Sequence, residues 1–408
     1  MKPPKSFRLH IGFFGRRNVG KSSLLNALTH QEVSIVSDVA GTTTDPVEKP
    51  MELLPLGPVL FIDTAGIDDS GALGGKRIQK TMEVIDRTDL AILVSDSSGW
   101  GSFEELFLQK LRELGIPVIV VLNKADRYQL QESLIKNLSS EKVPVIETSA
   151  TQQRGINELR ELILTHAPGS FINRPTILSD LVGPGEAAIL VVPIDKEAPK
   201  GRLILPQVQS IRDLLDGDSF CIVVKERELR EAFSRLNKPP KLVVTDSQAF
   251  LKVAADTPPE IPLTSFSILF ARYQGDLTGM VNGAMAIDQL KANDKVLIAE
   301  ACSHHPIGED IGTVKIPRWL TQYVGGKLQF DYTRGRDFPS DLSGYKLIIH
   351  CGACMWNRRE MLSRMMKASR EGVPITNYGL TIAYSLGIFE RALQPFPEAL
   401  EVYCRRSK

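Results

Sequence analysis

The chain has 408 residues, of which 43% are apolar and 24% charged, with a net charge of +1 and five cysteines. This is the composition of an ordinary soluble protein of two or three domains, without a global electrostatic pull toward nucleic acid or membrane. No apolar run approaches the ~18 residues of a membrane span. The start MKPPKSFRLHIGFFG has no signal-peptide pattern. Five cysteines do not make a disulfide framework. The expectation is a cytoplasmic protein that does not associate with membranes.

The first segment alternates apolar runs with amphipathic ones, which predicts an α/β domain with a mostly parallel sheet. SFRLHIGFFG reads as a strand and KSSLLNALTH as a helix, and between them GRRNVGKSS spans Gly15 to Ser23. That string fits G-x-x-x-x-G-K-[ST] between a strand and a helix. Its backbone, through Gly15, Asn18, Val19, Gly20 and Ser23, would cradle phosphates at a helix N-terminus. Lys21 would reach the β- and γ-phosphates, and the Ser22 hydroxyl would hold Mg²⁺. The stretch DVAGTTTDP (38–46) offers Thr43, with Thr42 second, as a threonine that meets Mg²⁺ only while the γ-phosphate is present. GPVLFIDTAG ends in Asp63-Thr64-Ala65-Gly66, where Asp63 can hold Mg²⁺ through water and Gly66 can meet the γ-phosphate. PVIVVLNKAD ends in Asn123, Lys124 and Asp126; the Asp126 carboxylate can accept from the guanine N1–H and N2–H₂ groups, donors that adenine lacks at those positions. Thr148, Ser149 and Ala150 would complete the base pocket. Four signals in this order imply binding and hydrolysis of GTP. Ala167-Pro168-Gly169 stops the last helix, placing the domain at 1–170.

A second unit, 171–262, shows three strand candidates, AAILVVPI, SFCIVVK and KLVVTD, and helices over 205–215 and 228–236. So small a sheet leaves apolar edges exposed and favours a partner, so a dimerisation role is expected. Cys221, mid-strand, reads as core. DTPPEIPLT (256–264) separates this unit from a third, 263–408, with strands KVLIAEAC, KLQFDYTRG and YKLIIHCGAC, a helix over 357–371 and a final helix pair over 380–393. No internal repeat is evident. Arg358 and Arg359 read as a solvated helix face.

Cys302-Ser303-His304-His305 and His350-Cys351-Gly352-Ala353-Cys354 each end a strand, and strand ends in an α/β sheet meet in one crevice. Cys351 and Cys354 have a spacing suited to one metal, Cys302 would be a third thiolate, and His304, His350 or Glu309 a fourth ligand. Spacing leaves zinc and iron–sulfur near even, with a redox Cys-x-x-Cys and chance burial as the other readings. Cys404, His10, His30 and His166 read as outside any site.

Asn18 within the phosphate loop and the AGTTTD switch resemble the GTPases typified by MnmE, Era and EngA, over about 7–166. The resemblance implies K⁺ held at Asn18 in place of an arginine finger. Ile67 stands where Ras-like proteins carry a water-orienting Gln, and no cis arginine finger is evident, so turnover is expected to be slow. Joined to Cys-x-His and His-Cys-x-x-Cys, the whole chain resembles the HydF family of FeFe-hydrogenase maturation GTPases. That resemblance implies a homodimer and a 4Fe-4S cluster on Cys302, Cys351 and Cys354. It also implies a scaffold that carries the two-iron subcluster to the apo FeFe-hydrogenase, with the radical-SAM maturases as further partners. The alternative is an RNA-directed GTPase with a structural Cys₃His zinc. The third unit has no RNA-binding signature, its arginines being interleaved with acidic and apolar residues.

Overall fold

Apolar runs without polar alternation belong in strands buried on both faces, and the computed structural model places them there. It describes residues 4–29, 46–54, 56–66, 72–96, 100–127, 132–172, 175–193, 203–301 and 310–406. The chain divides into two compact units, 1–174 and 175–408.

In the first unit, β1 (Leu9–Phe14), β2 (Val47–Leu53), β3 (Gly57–Asp63), β4 (Leu90–Asp96), β5 (Val118–Asn123) and β6 (Val145–Glu147) form one sheet, ordered β2-β3-β1-β4-β5-β6. All pairs are parallel except β2 with β3. The helices are α1 (Lys21–Thr29), α2 (Ala72–Ile85), α3 (Ser102–Glu113), α4 (Glu132–Ser140), α5 (Ile156–His166) and α6 (Gly169–Ile172). Leu24, Leu25 and Leu28 of α1 join Ile156, Leu159 and Ile163 of α5 on one face of the sheet, with Leu9, Ile11 and Phe13. Residues of α2, α3 and α4 cover the other face, against Phe14, Leu60 and Ile62. Each fully buried leucine of this kind contributes about 2–5 kcal/mol against truncation to alanine. β2 was not foreseen: the sequence VEKPMEL is polar, and as an edge strand it needs no continuous apolar run.

The second unit holds two all-parallel four-stranded sheets. Its first half has α7 (Ser179–Val182), β7 (Ala187–Val191), α8 (Leu205–Asp216), β8 (Phe220–Val224), α9 (Leu229–Ser234), β9 (Leu242–Thr245), α10 (Phe250–Asp256), β10 (Leu263–Ser265) and α11 (Phe266–Gln274). Its second half has α12 (Leu277–Met285), β11 (Lys295–Glu300), α13 (Ile316–Val324), β12 (Gln329–Arg334), β13 (Leu347–His350), α14 (Arg358–Arg370), β14 (Ile375–Asn377), α15 (Tyr378–Ser385), α16 (Phe389–Leu393) and α17 (Pro397–Arg406). The sheets run β10-β9-β7-β8 and β12-β11-β13-β14. In each, therefore, the first strand lies between the second and the third, and the fourth lies outside the third.

Two expectations change here. The middle sheet has a fourth strand, β10, which begins within the last two residues of the proline-rich stretch, so that stretch connects strands of one sheet and the expected break at 262/263 falls inside that sheet. A three-residue strand is too short to show periodicity. The two halves also repeat a fold. Pro262-Leu263-Thr264-Ser265-Phe266-Ser267 matches Pro374-Ile375-Thr376-Asn377-Tyr378-Gly379 in position and type. The carbonyl of each leading proline accepts from the third strand, Val243 N at 3.0 Å and Ile348 N at 2.9 Å. Ser265 caps α11 and Asn377 caps α15, by accepting the Ile268 and Leu380 N–H groups. The likeness is too short, and the segments between strands too different, for sequence to betray it.

Candidate functional site

The carboxyl edge of the first sheet gathers the nucleotide motifs. The loop after β1 turns through Gly15 and Asn18, at φ of 141° and 59°, into the N-terminus of α1. Asn18 is exposed, whereas Val19 is buried and Ser23 lies half-buried in the first turn of the helix. Lys21 Nζ donates to Gly15 O at 3.0 Å and Arg16 O at 2.7 Å, so the ammonium is folded along the loop. Ser22 Oγ donates to Asp63 Oδ2 at 2.6 Å. That contact joins the two residues expected to serve one Mg²⁺, an oxygen pair of the hard type the ion takes. Thr64 Oγ1 ties the end of β3 to Phe13 O at 2.6 Å. A Cβ on Gly66 would lie 2.7 Å from Arg17 N and Cα, so glycine there lets the β3 loop approach the phosphate loop.

Asn123, expected at the base pocket, also bridges two loops. Its Nδ2 donates to Val19 O at 3.0 Å, and its Oδ1 accepts from Thr148 Oγ1 at 3.1 Å and Ala150 N at 3.3 Å. One buried amide thus holds the phosphate loop and the base loop in register. Gly20 must be glycine beside it, since a Cβ would stand 2.3 Å from Asn123 Nδ2. Lys124, at φ 62°, reaches Asp96 at 3.4 Å. Ser149 Oγ donates to Asp126 Oδ1 at 2.6 Å. That bond is the largest influence holding the Asp126 carboxyl below its ordinary value, so the group stays ionised. Arg16, in the phosphate loop, pairs with the buried Glu104 at 2.9 Å and lies over Phe103, with its centre 5.4 Å from the ring centroid. The sequence reading missed this brace, which lies 88 residues away in sequence.

The threonines Thr42 and Thr43 and Ile67 lie outside the described residues, as do His30, Cys302, His304 and Glu309.

At the carboxyl edge of the last sheet, β11 and β13 run side by side with Ala299 opposite His350. Cys351 N continues the ladder to Ala299 O at 2.9 Å, and Ala301 N donates to Cys351 Sγ at 3.0 Å. The chain entering Cys302 thus passes directly beside Cys351. Ala353, buried and at φ 50°, carries the turn between Cys351 and Cys354. A sulfur already accepting a backbone N–H, two thiols three residues apart and the approach of a third segment suit a soft metal centre. Among the described residues alone, no group of three potential ligands is found.

His350 does not face this centre as expected. It is fully buried. Its Nδ1 donates to Cys351 O at 2.9 Å, and its Nε2 accepts from Arg364 Nη1 at 3.1 Å. Burial, then the Arg364 charge, lower its pKa to about 3, and both nitrogens are spent. Arg364 is itself buried, its centre 4.1 Å from the Trp356 ring centroid and 4.4 Å from that of Phe338. Nor is Arg358 simply solvated: its Nη1 donates to Arg272 O and Tyr273 O at 3.1 and 2.7 Å, closing the end of α11. Cys221 is half-buried on the edge strand β8 rather than in a core, while Cys404 is exposed on α17. His10 is buried between Arg87 O and Lys5 O, and His166 bonds Leu162 O, so neither joins a site.

The fold and the first site are those of a P-loop GTPase. Residues 10–124 match the family described as 50S ribosome-binding GTPase. Residues 177–275 match the hydrogen maturase F dimerization domain, and 278–395 the hydrogen maturase F tetramerization domain. The chain belongs to the hydrogen maturase F, or HydF, family. Its first unit is similar to GTPase Der of Wolinella succinogenes, 39% identical over 38% of this chain and 35% of that protein. It is also similar to the tRNA modification GTPase MnmE of Heliobacterium modesticaldum, 38% identical over 36% of this chain and 32% of that protein. The chain thus spans about a third of these relatives' length. Among solved structures it is similar to an Aquifex aeolicus Era variant bound to GDP and aluminium fluoride, at 21% identity, covering 60% of this chain and 97% of that one, with a TM-score of 0.36. No helix among the described residues is long and apolar enough to cross a membrane.

Proposed function

We propose that this chain hydrolyses GTP and serves as an iron–sulfur scaffold or carrier in FeFe-hydrogenase maturation, in the cytoplasm. The observation that carries the reading is the joining, in one HydF-family chain, of the Ser22–Asp63 and Asp126–Ser149 pairs with a Cys-x-x-Cys loop that receives the end of β11. In hydrolysis, water attacks the γ-phosphorus, the bond to the β-phosphate oxygen breaks, and GDP and phosphate leave. The loop N–H groups, Lys21 and Gly66 would hold the γ-phosphate, while Ser22 and Thr43, with Asp63 through water, would hold the Mg²⁺ that offsets its charge. Asn18 at the loop's exposed turn is the ligand for K⁺, and without a Gln at 67 turnover is slow. Cys302, Cys351 and Cys354 would hold a 4Fe-4S cluster, which would supply an iron position for an exchangeable ligand. His304 and Glu309 remain the candidates for that position. The two-iron subcluster is cargo, taken from the radical-SAM maturases and handed to the apo-hydrogenase.

Self-association fits the edge strand β8. Phe220 and Val223 are 49% and 43% exposed there, and among the described residues no strand lies beyond its outer N–H and C=O groups. A second copy adding its own β8 would extend the sheet and cover both side chains, giving a homodimer. The test is anaerobic purification followed by iron, sulfide and zinc analysis and subcluster transfer to apo-hydrogenase. Iron with sulfide and transfer support the reading. Colourless protein with one zinc would instead favour the RNA-directed alternative.

A further inference from the structure

Arg16 is the second residue of the phosphate loop, and its side chain leaves the loop for α3. Its Nη2 donates to Glu104 Oε2 at 3.0 Å, and its Nε lies 2.9 Å from Glu104 Oε1. Its guanidinium rests on Phe103, which stacks on Phe107, and Phe107 meets Phe14 at the end of β1. Glu104 is fully buried, and its Oε2 also accepts from Gly101 N at 3.0 Å, which closes the start of α3. A buried carboxylate is costly unless paired, and here the phosphate loop supplies the pair. Two points of contact between a planar guanidinium and a carboxylate set direction as well as distance.

The backbone of the same arginine faces the nucleotide site. Arg16 O accepts from Lys21 Nζ at 2.7 Å, beside Gly15 O at 3.0 Å. Gly15 is pressed against β4, where a Cβ would stand 2.1 Å from Val94 O. One of the two carbonyls is therefore set by the sheet and the other by the residue that Glu104 anchors. An ammonium carries three protons, and two directed at fixed carbonyls orient the whole group.

Resting on the reading of this site as one that hydrolyses GTP, we infer that Glu104 and Arg16 are positioning residues for the reaction. The buried carboxylate fixes the arginine, the arginine fixes its own carbonyl, and that carbonyl aims Lys21 at the phosphates. Both side chains act through Lys21 rather than by touching the nucleotide. The arginine charge is spent on Glu104, 88 residues away, and α3 becomes part of the machinery that sets the phosphate loop.

The test measures steady-state GTP hydrolysis, thermal unfolding and the phosphorus NMR spectrum of bound GDP, on the full chain and its Glu104→Gln, Arg16→Gln and Arg16→Lys variants. Glu104→Gln keeps the size of the side chain and an acceptor for Gly101 N, so the start of α3 is preserved. The expected result is a fall in kcat of roughly 10–100-fold with KM changed far less, because a misplaced charge that stabilises the transition state acts on the chemical step. The β-phosphate resonance should move as well. Arg16→Gln should match this loss, and Arg16→Lys should lose less, keeping the charge without the two-point pairing. The double variant should lose no more than either single one, since both break one link. Should Glu104→Gln fail to fold, Arg16→Gln, altered at a half-buried side chain, carries the same expectation. A kcat and a β-phosphate resonance equal to wild type in the folded variants would overturn the positioning role and leave a brace that only holds α3. Tighter GTP binding with faster turnover in Glu104→Gln would overturn it too, since the released arginine would then reach the phosphates itself. Wild type that binds GTP and releases no phosphate would overturn the hydrolysis reading itself.

Discussion

Asp126 and Ser149 act as one acceptor. Because the Ser149 hydroxyl bonds the ionised carboxylate, the Asp126 pKa is depressed on folding, so its charge is present at neutral pH and is lost only as pH falls through that lowered value. GTP affinity should therefore be flat between about pH 8 and about pH 6 as far as this group is concerned, well above an ordinary aspartate. Ser149→Ala should move the acid limb of the binding curve upward, read by fluorescence with a labelled nucleotide. Asp126→Asn exchanges an acceptor for a donor. It should weaken GTP by roughly 10–100-fold and favour xanthosine triphosphate, whose ring offers a carbonyl at that position. Equal loss of both nucleotides would mean that Asp126 shapes the loop rather than reading the base.

At the scale of elements, close approaches decide tolerance. Gly66→Ala would drive a methyl into the Arg17 backbone, so it should abolish nucleotide binding while the circular dichroism spectrum persists. Strand β8 offers the complementary test. Phe220→Lys with Val223→Lys places charge on an open edge, at positions whose exposure predicts little loss of protomer stability, and should convert a dimer to a monomer by light scattering. A dimer that survives both lysines would place the interface elsewhere. How far the sequence revealed these elements follows from their physics. Long apolar strands and the Gly15–Ser23 string were legible because burial on both faces and phosphate geometry each demand particular residues in order. The edge strand β2 and the three-residue β10 and β14 were not, because a strand that short or that polar leaves no period to read. The burial of Arg364 was not legible, because helical spacing does not show that Phe338 and Trp356 enclose it.

For the whole molecule, the nucleotide site and the cysteine loop belong to different compact units. Lys21→Ala should therefore remove nucleotide hydrolysis while iron content and the absorption spectrum of the reconstituted protein stay unchanged. Loss of both together would require the units to fold as one. Replacing K⁺ by Na⁺ at constant ionic strength should slow phosphate release if Asn18 holds the cation, and an unchanged rate would remove that role. The box around Arg364 has a practical consequence as well. Trp356 follows Cys354 by two residues and is held by a guanidinium on its ring, with the His350 ring 5.3 Å away. It is an indole fluorophore built into the loop, and iron–sulfur chromophores absorb in the range where indole emits. With Trp100 and Trp319 changed to phenylalanine, the emission of the remaining indole would report, in real time and without any added label, whether the cysteine loop takes up iron and whether it gives it away.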